Sequence, residues 1–227
     1  MICATISNIK FHFKNFIYLV VLFGFSVGHA GSYDDFFIAI KRDDAATVMA
    51  LLNRGFDPNT PNPAGVTGLL LAVREPSLKV AAVLLNWPKT NIEARTPQDE
   101  SPLMLAALQG LTALCQQLID KDADVNKTGW TPLHYASTNG HLPVMALLLE
   151  NNAYIDAASP NNTTPLMMAA QYGSPAAVQF LLEAGADPML KNDQGLSAID
   201  FAQRVNRPDS AELISAFIRA RQPKGTW

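Results

Sequence analysis

The chain repeats itself in phase. Thr131-Pro132-Leu133-His134-Tyr135-Ala136 and Thr164-Pro165-Leu166-Met167-Met168-Ala169-Ala170 lie 33 residues apart. Ser101-Pro102-Leu103-Met104-Leu105-Ala106-Ala107 lies 30 residues before the first, and Thr67-Gly68-Leu69-Leu70-Leu71-Ala72 a further 34 before that. Ser197-Ala198-Ile199-Asp200-Phe201-Ala202 follows the Thr164 copy after 33. A unit of this length is one supersecondary element, too small to bury its apolar face alone. The copies must therefore stack into a quasi-one-dimensional array.

Each copy encodes two helices. Thr or Ser at its start is a good N-cap, and Pro at the next position has its φ preset and no N–H to leave unpaired. Leu and Ala then form a narrow apolar face that lets neighbouring copies approach closely. Second helices follow in Leu142–Leu149 and Ala176–Leu182, with Pro143 and Pro175 in a first turn where proline is tolerated. Gly55 and Gly185 mark helix stops that need a left-handed residue, with Asp122 and Asn152 as the substitutes that best tolerate it.

The pattern resembles the ankyrin motif T-P-L-H-x-A, and the resemblance covers residues 33 to 222. It implies an all-α ankyrin-repeat solenoid, residues 31–222, of about six helix-turn-helix repeats with short β-hairpin connections. Residues 33 to 62 lack the Thr-Pro start and read as an N-terminal cap, because a terminal repeat turns one face to water. The connection Val125–Trp130 is short, so its finger is expected to be blunted. Asn86–Asn91 has no glycine stop, so an irregular turn is expected there.

Residues 1 to 30 read differently. They hold no Asp or Glu, carry Lys10 and Lys14, run apolar from Phe16 to Val27 and end in Gly28-His29-Ala30. That is the plan of a signal peptide cleaved after Ala30, and the run is too short to cross a bilayer. The expected location is a bacterial periplasm or the exterior, with no stable membrane anchor after cleavage. The shortened chain would carry a formal charge of −5, from 15 basic and 20 acidic side chains, which argues against nucleic acid as partner. Residues 223–227 form a tail.

Chemistry is sparse in this sequence. Beyond residue 30 only His134 and His141 remain, one at the His of the motif and one at the turn between two helices, and both read as structural. Cys115 occupies a position suited to a core Val and reads as a small hydrophobe. The acidic pairs Asp34-Asp35 and Asp43-Asp44 lack the spacing of a calcium loop. No catalytic residue, cofactor or metal site is expected.

Function is therefore expected on the surface, as recognition of another protein by a monomer. In the ankyrin family the hairpin tips and the ends of the first helices carry recognition. The tips here are Val66, Glu100, Trp130, Thr163 and Leu196, and the helix ends are Arg74 with Glu75, Leu108 with Gln109, Thr138 with Asn139, and Gln171 with Tyr172. The candidate contact residues are Arg74, Glu100, Gln109, Trp130, Thr138, Asn139, Thr163, Gln171 and Tyr172. Trp130 and Tyr172, on adjacent repeats, are the expected anchors, because amphipathic aromatics dominate interface energetics. Trp87, in the irregular turn, is a further aromatic candidate. A retained adaptor or protective binder, an exported effector and a self-assembling structural protein all fit this pattern.

Overall fold

The computed structural model describes residues 31–221, so the signal-peptide expectation for 1–30 and the tail 223–227 lie outside the described residues. Twelve helices pair into six units among them. The first helices are α1 (31–41), α3 (Gly68–Arg74), α5 (Pro102–Leu108), α7 (Pro132–Asn139), α9 (Pro165–Gln171) and α11 (Ala198–Arg204). The second helices are α2 (Ala45–Asn53), α4 (Leu78–Asn86), α6 (Thr112–Ile119), α8 (Leu142–Glu150), α10 (Pro175–Glu183) and α12 (Pro208–Arg221). From α3 onward each first helix packs on the next in line.

The close stacking depends on one small residue per copy. Ala72, Ala106, Ala136, Ala169 and Ala202 share a motif position, and all five are fully buried. Leu69, Leu103, Leu133 and Leu166, at another shared position, are at most 1% exposed. The second helices bury one stripe, such as Val178, Leu181 and Leu182 in α10, and leave the opposite face in water. The N-terminal cap closes the stack with Phe36 and Ile40, both fully buried. This explains Gly68 where three other copies carry Pro and the last carries Ala198: a Cβ there would stand 2.7 Å from the Phe36 ring. The acidic pair Asp43-Asp44 serves helix N-termini, Asp44 capping α2 through Thr47 N–H at 3.0 Å and Asp43 accepting from Val80 N–H at 2.9 Å.

Gly55, Asp122, Asn152 and Gly185 have positive φ, as helix stops require. The connections differ from the expected β-hairpins. No strand forms among the described residues. Each full-length finger is instead a single closed turn, in which Asn62, Thr96, Ser159 and Asn192 each donate N–H to the carbonyl four residues on. With only one such bond per finger there is no ladder to extend. The short connection before Thr131 lacks that turn, and Lys127 there pairs with Asp99 of the preceding finger. In the irregular second repeat, α4 ends without a left-handed residue, and Trp87 packs half-buried against the core rather than standing free.

His134 ties a helix to the next finger. Thr131 N–H donates to Nδ1 at 3.2 Å, which leaves the imidazole proton on Nε2, and Nε2–H donates to Thr163 O at 2.9 Å. Burial holds its pKa down at about 4, against the pull of backbone hydrogen bonds to Thr163 and Ala157. His141 donates from Nε2 to Leu108 O at 2.9 Å, and its ring fills the space in front of Gly110.

Two stability predictions follow from these contacts. Gly110 has φ +71°, and an added Cβ would meet the His141 ring at 2.6 Å. Gly110→Ala should therefore cost about 2–4 kcal/mol in urea unfolding, the sum of left-handed strain and overpacking. In a His141→Ala background the same change should cost only about 1 kcal/mol, because the clash is gone. For His134 the unfolded chain takes a proton near pH 6.5 while the folded state resists it down to about pH 4. Its contribution is thus complete above pH 6.5 and lost as pH falls through that window. Between pH 7 and 4.5 it should remove about 2–3 kcal/mol. This slope should vanish in His134→Gln, and NMR of the native ring should show no titration above pH 5.

Candidate functional site

A helix leaves its last four carbonyls without an intrahelical partner. In a first helix of seven or eight residues that is half or more of them, and the next repeat supplies many of the donors. Gln109 Nε2 donates to Val73 O at 2.8 Å and Arg74 O at 3.2 Å. Asn139 Nδ2 donates to Leu108 O at 2.7 Å, beside the bond from His141. Arg207 donates to Tyr172 O at 3.1 Å and to Gly173 O. Gln109 and Asn139, expected as contact residues, thus have amide groups already committed to the preceding repeat. The ends of α3, α5 and α9 are correspondingly rigid.

Towards the N-terminal side the concave face is self-satisfied. Arg74 meets Glu100 at 3.5 Å, and Glu100 also accepts from Thr96 Oγ1 at 3.0 Å and the Tyr135 hydroxyl at 3.3 Å. Burial first, and the Glu100 carboxylate second, push the Tyr135 hydroxyl up to about 12. Thr138 donates its hydroxyl back to His134 O at 2.9 Å within its own helix.

Towards the C-terminal side the face opens into a groove of about 290 Å³. Trp130, Met168, Tyr172 and Phe201 supply its apolar lining, and Gln171 and Arg204 lie among its polar residues. The structure therefore brings the expected aromatic pair into one site. Tyr172 is 52% exposed, while Trp130 is half-buried with its ring edge-on to His134 at 5.2 Å between centroids. Thr163 also lines the groove, yet it is only 2% exposed and its carbonyl is taken by His134. Val66, expected at a tip, is 2% exposed as well.

Sequence reasoning missed Met168, Phe201 and Arg204. The signal was present in the repeat phase: Phe201 sits 33 residues after Met168, which sits 33 after Tyr135, and Arg204 sits 33 after Gln171. Extending the recognised helix ends by one further copy would have found Arg204.

Cys115 is fully buried in α6, and burial pushes its thiol up to about 12, so no thiolate is available near neutral pH. Among the described residues no group of three or more His, Cys, Asp or Glu is arranged to hold a metal ion. No described helix is long and apolar enough to cross a membrane.

The model of ankyrin repeats (3 copies) matches residues 36–128, 69–159, 103–192 and 153–220. The mouse (Mus musculus) protein "Ankyrin repeat and SAM domain-containing protein 6" is 36% identical over 132 residues, which is 56% of this chain and 14% of that protein. The chicken (Gallus gallus) nuclear factor NF-kappa-B p105 subunit is 30% identical over 184 residues, 78% of this chain and 18% of that protein. The chain thus spans less than a fifth of the length of these two relatives. Among solved structures, a chain from the complex of the Bdellovibrio bacteriovorus predatory endopeptidase Bd0816 with immunity protein Bd3460 superposes with a TM-score of 0.70 at 29% identity. That match covers 80% of this chain and 97% of the other. An ankyrin repeat domain from Acinetobacter baumannii AYE shares the fold with a TM-score of 0.69 at 22% identity, covering 80% of this chain and 96% of its own. Ankyrin repeats are in general a non-enzymatic scaffold for interaction with other proteins. The chain belongs to the ankyrin-repeat family.

Proposed function

We propose that this protein is a non-enzymatic binding module that acts outside the cytoplasm and holds another protein against the concave face of its fourth, fifth and sixth repeats. The observation that carries this reading is the groove joining Trp130 to Tyr172, where two amphipathic aromatics from adjacent repeats meet a held backbone. Aromatic anchors in a preorganised setting are what protein interfaces use for most of their energy. The export half of the reading rests on the acid-free, apolar first thirty residues.

The likeness to a chain of an endopeptidase and immunity-protein complex favours a second reading of the same face, in which the partner is an exported peptidase held in check. Cell fractionation tests location: a chain shortened by about thirty residues should appear in the periplasm or the medium, and a full-length chain in the cytoplasm would refute export. Immobilised protein should retain one exported partner, and Trp130→Ala with Tyr172→Ala should weaken that complex roughly 30-fold or more. Equal retention by a folded double variant would rule out this face. A mass by light scattering that rises with concentration would move the reading to self-assembly.

A further inference from the structure

Arg74 and Arg204 stand at the same motif position, seven residues after their N-caps Thr67 and Ser197. Their surroundings differ. Arg74 reaches across to Glu100 on the next finger. Arg204 meets no carboxylate within ion-pair distance among the described residues, and its guanidinium reaches only Gln194 Oε1 at 3.5 Å. Asp200, one turn earlier, is engaged elsewhere: its Oδ2 accepts both the N–H and the hydroxyl of Ser197 at 2.7 Å. Asp193 accepts from Asn162 Nδ2 at 2.6 Å. Arg204 and Asp200 are close enough for their charges to interact, yet no carboxylate touches the guanidinium, and it stands exposed at the rim of an aromatic groove.

The volume limits what can enter. About 290 Å³ is at the lower end of ligand pockets, so it suits one or two side chains rather than a broad surface. Arg207 holds Tyr172 through its backbone carbonyl, so the point from which that wall projects is fixed before anything binds.

Resting on the reading that this face binds protein, we infer that the groove takes a partner segment presenting a large apolar side chain beside a carboxylate. The apolar side chain fits against Trp130, Met168, Tyr172 and Phe201, and the carboxylate pairs with Arg204 as Glu100 pairs with Arg74. Arginine suits this role because its planar fork can bind a carboxylate through two parallel hydrogen bonds. A neutral glycan could stack on the same aromatics and would leave the guanidinium without a counter-charge, which is why the acidic peptide is the occupant argued here.

The test is selection of random displayed peptides on the purified chain, on Arg204→Glu and on Tyr172→Ala, each checked for folding by circular dichroism. The wild type should enrich Phe, Leu or Met within about two residues of Asp or Glu, the span a single groove can bridge in extended chain. A synthetic consensus peptide should bind Arg204→Glu roughly tenfold more weakly or worse, and replacing its acid with Lys should restore binding to that variant alone. Enriched peptides without an acid, or binding indifferent to Arg204→Glu but lost in Tyr172→Ala, overturn the carboxylate chemistry and leave the protein-binding reading standing. Peptides indifferent to both substitutions, no enrichment at all, or chitooligosaccharide binding that Tyr172→Ala abolishes overturn the groove as a peptide site.

Discussion

The constraint on which everything else depends is the shortness of the first helices from α3 onward. Seven or eight residues form barely two turns, and an isolated helix of that length is unstable in water. Its terminal carbonyls need donors, and here the donors come from the neighbouring copy: Gln109 to α3, Asn139 and His141 to α5, Arg207 to α9. The buried alanine at the shared motif position then lets the stacked helices come close enough for those bonds to be made. Side chain and backbone thus cooperate across the repeat boundaries at the ends of α3, α5 and α9. No repeat is a folded object by itself, and the array is the smallest stable unit.

That dependence sets what the sequence could reveal. The repeat phase, the N-caps, the prolines in first turns and the left-handed stops are local properties, so they were legible from residue types alone. The fingers were not, because whether a connection becomes a strand depends on a partner ladder, and here the full-length fingers have their own closing turns and a single backbone bond between neighbours, Asp193 N–H to Asn161 O. The candidate site divides in the same way. Trp130 was read at a hairpin tip and Tyr172 at the end of a first helix, the two places where the ankyrin resemblance puts recognition, and both line one groove. Gln109 and Asn139 were expected as contact residues, although they bond to carbonyls 31 to 36 residues away, a distance no local pattern spans. Thr163 and Val66 are at the tips in sequence yet buried in space, since a tip that folds as a single tight turn tucks its last residue inward.

The short finger before Thr131 shows how one deletion is absorbed and what it leaves exposed. A full-length finger would close over its own turn, but this one lacks that bond and uses Lys127 to pair with Asp99 of the finger before it. The ion pair fixes the connection without rebuilding its length. Lys127 is only 11% exposed at its side chain, so the pair is shielded on one side from solvent and salt. Trp130 lies immediately after this segment, packed edge-on to His134 and lining the groove with its remaining surface.

The concave face is consequently asymmetric. On its N-terminal side Arg74, Glu100, Thr96 and Tyr135 satisfy one another, and a group already bonded within the fold gains little by exchanging that bond for a partner's. On its C-terminal side the corresponding motif positions hold Met168, Phe201, Gln171 and Arg204, which are apolar or lack such a network. The same scaffold positions that close the face in one half leave it open in the other. Because Arg207 holds the backbone at the end of α9, a partner entering that opening would not first have to order this helix end.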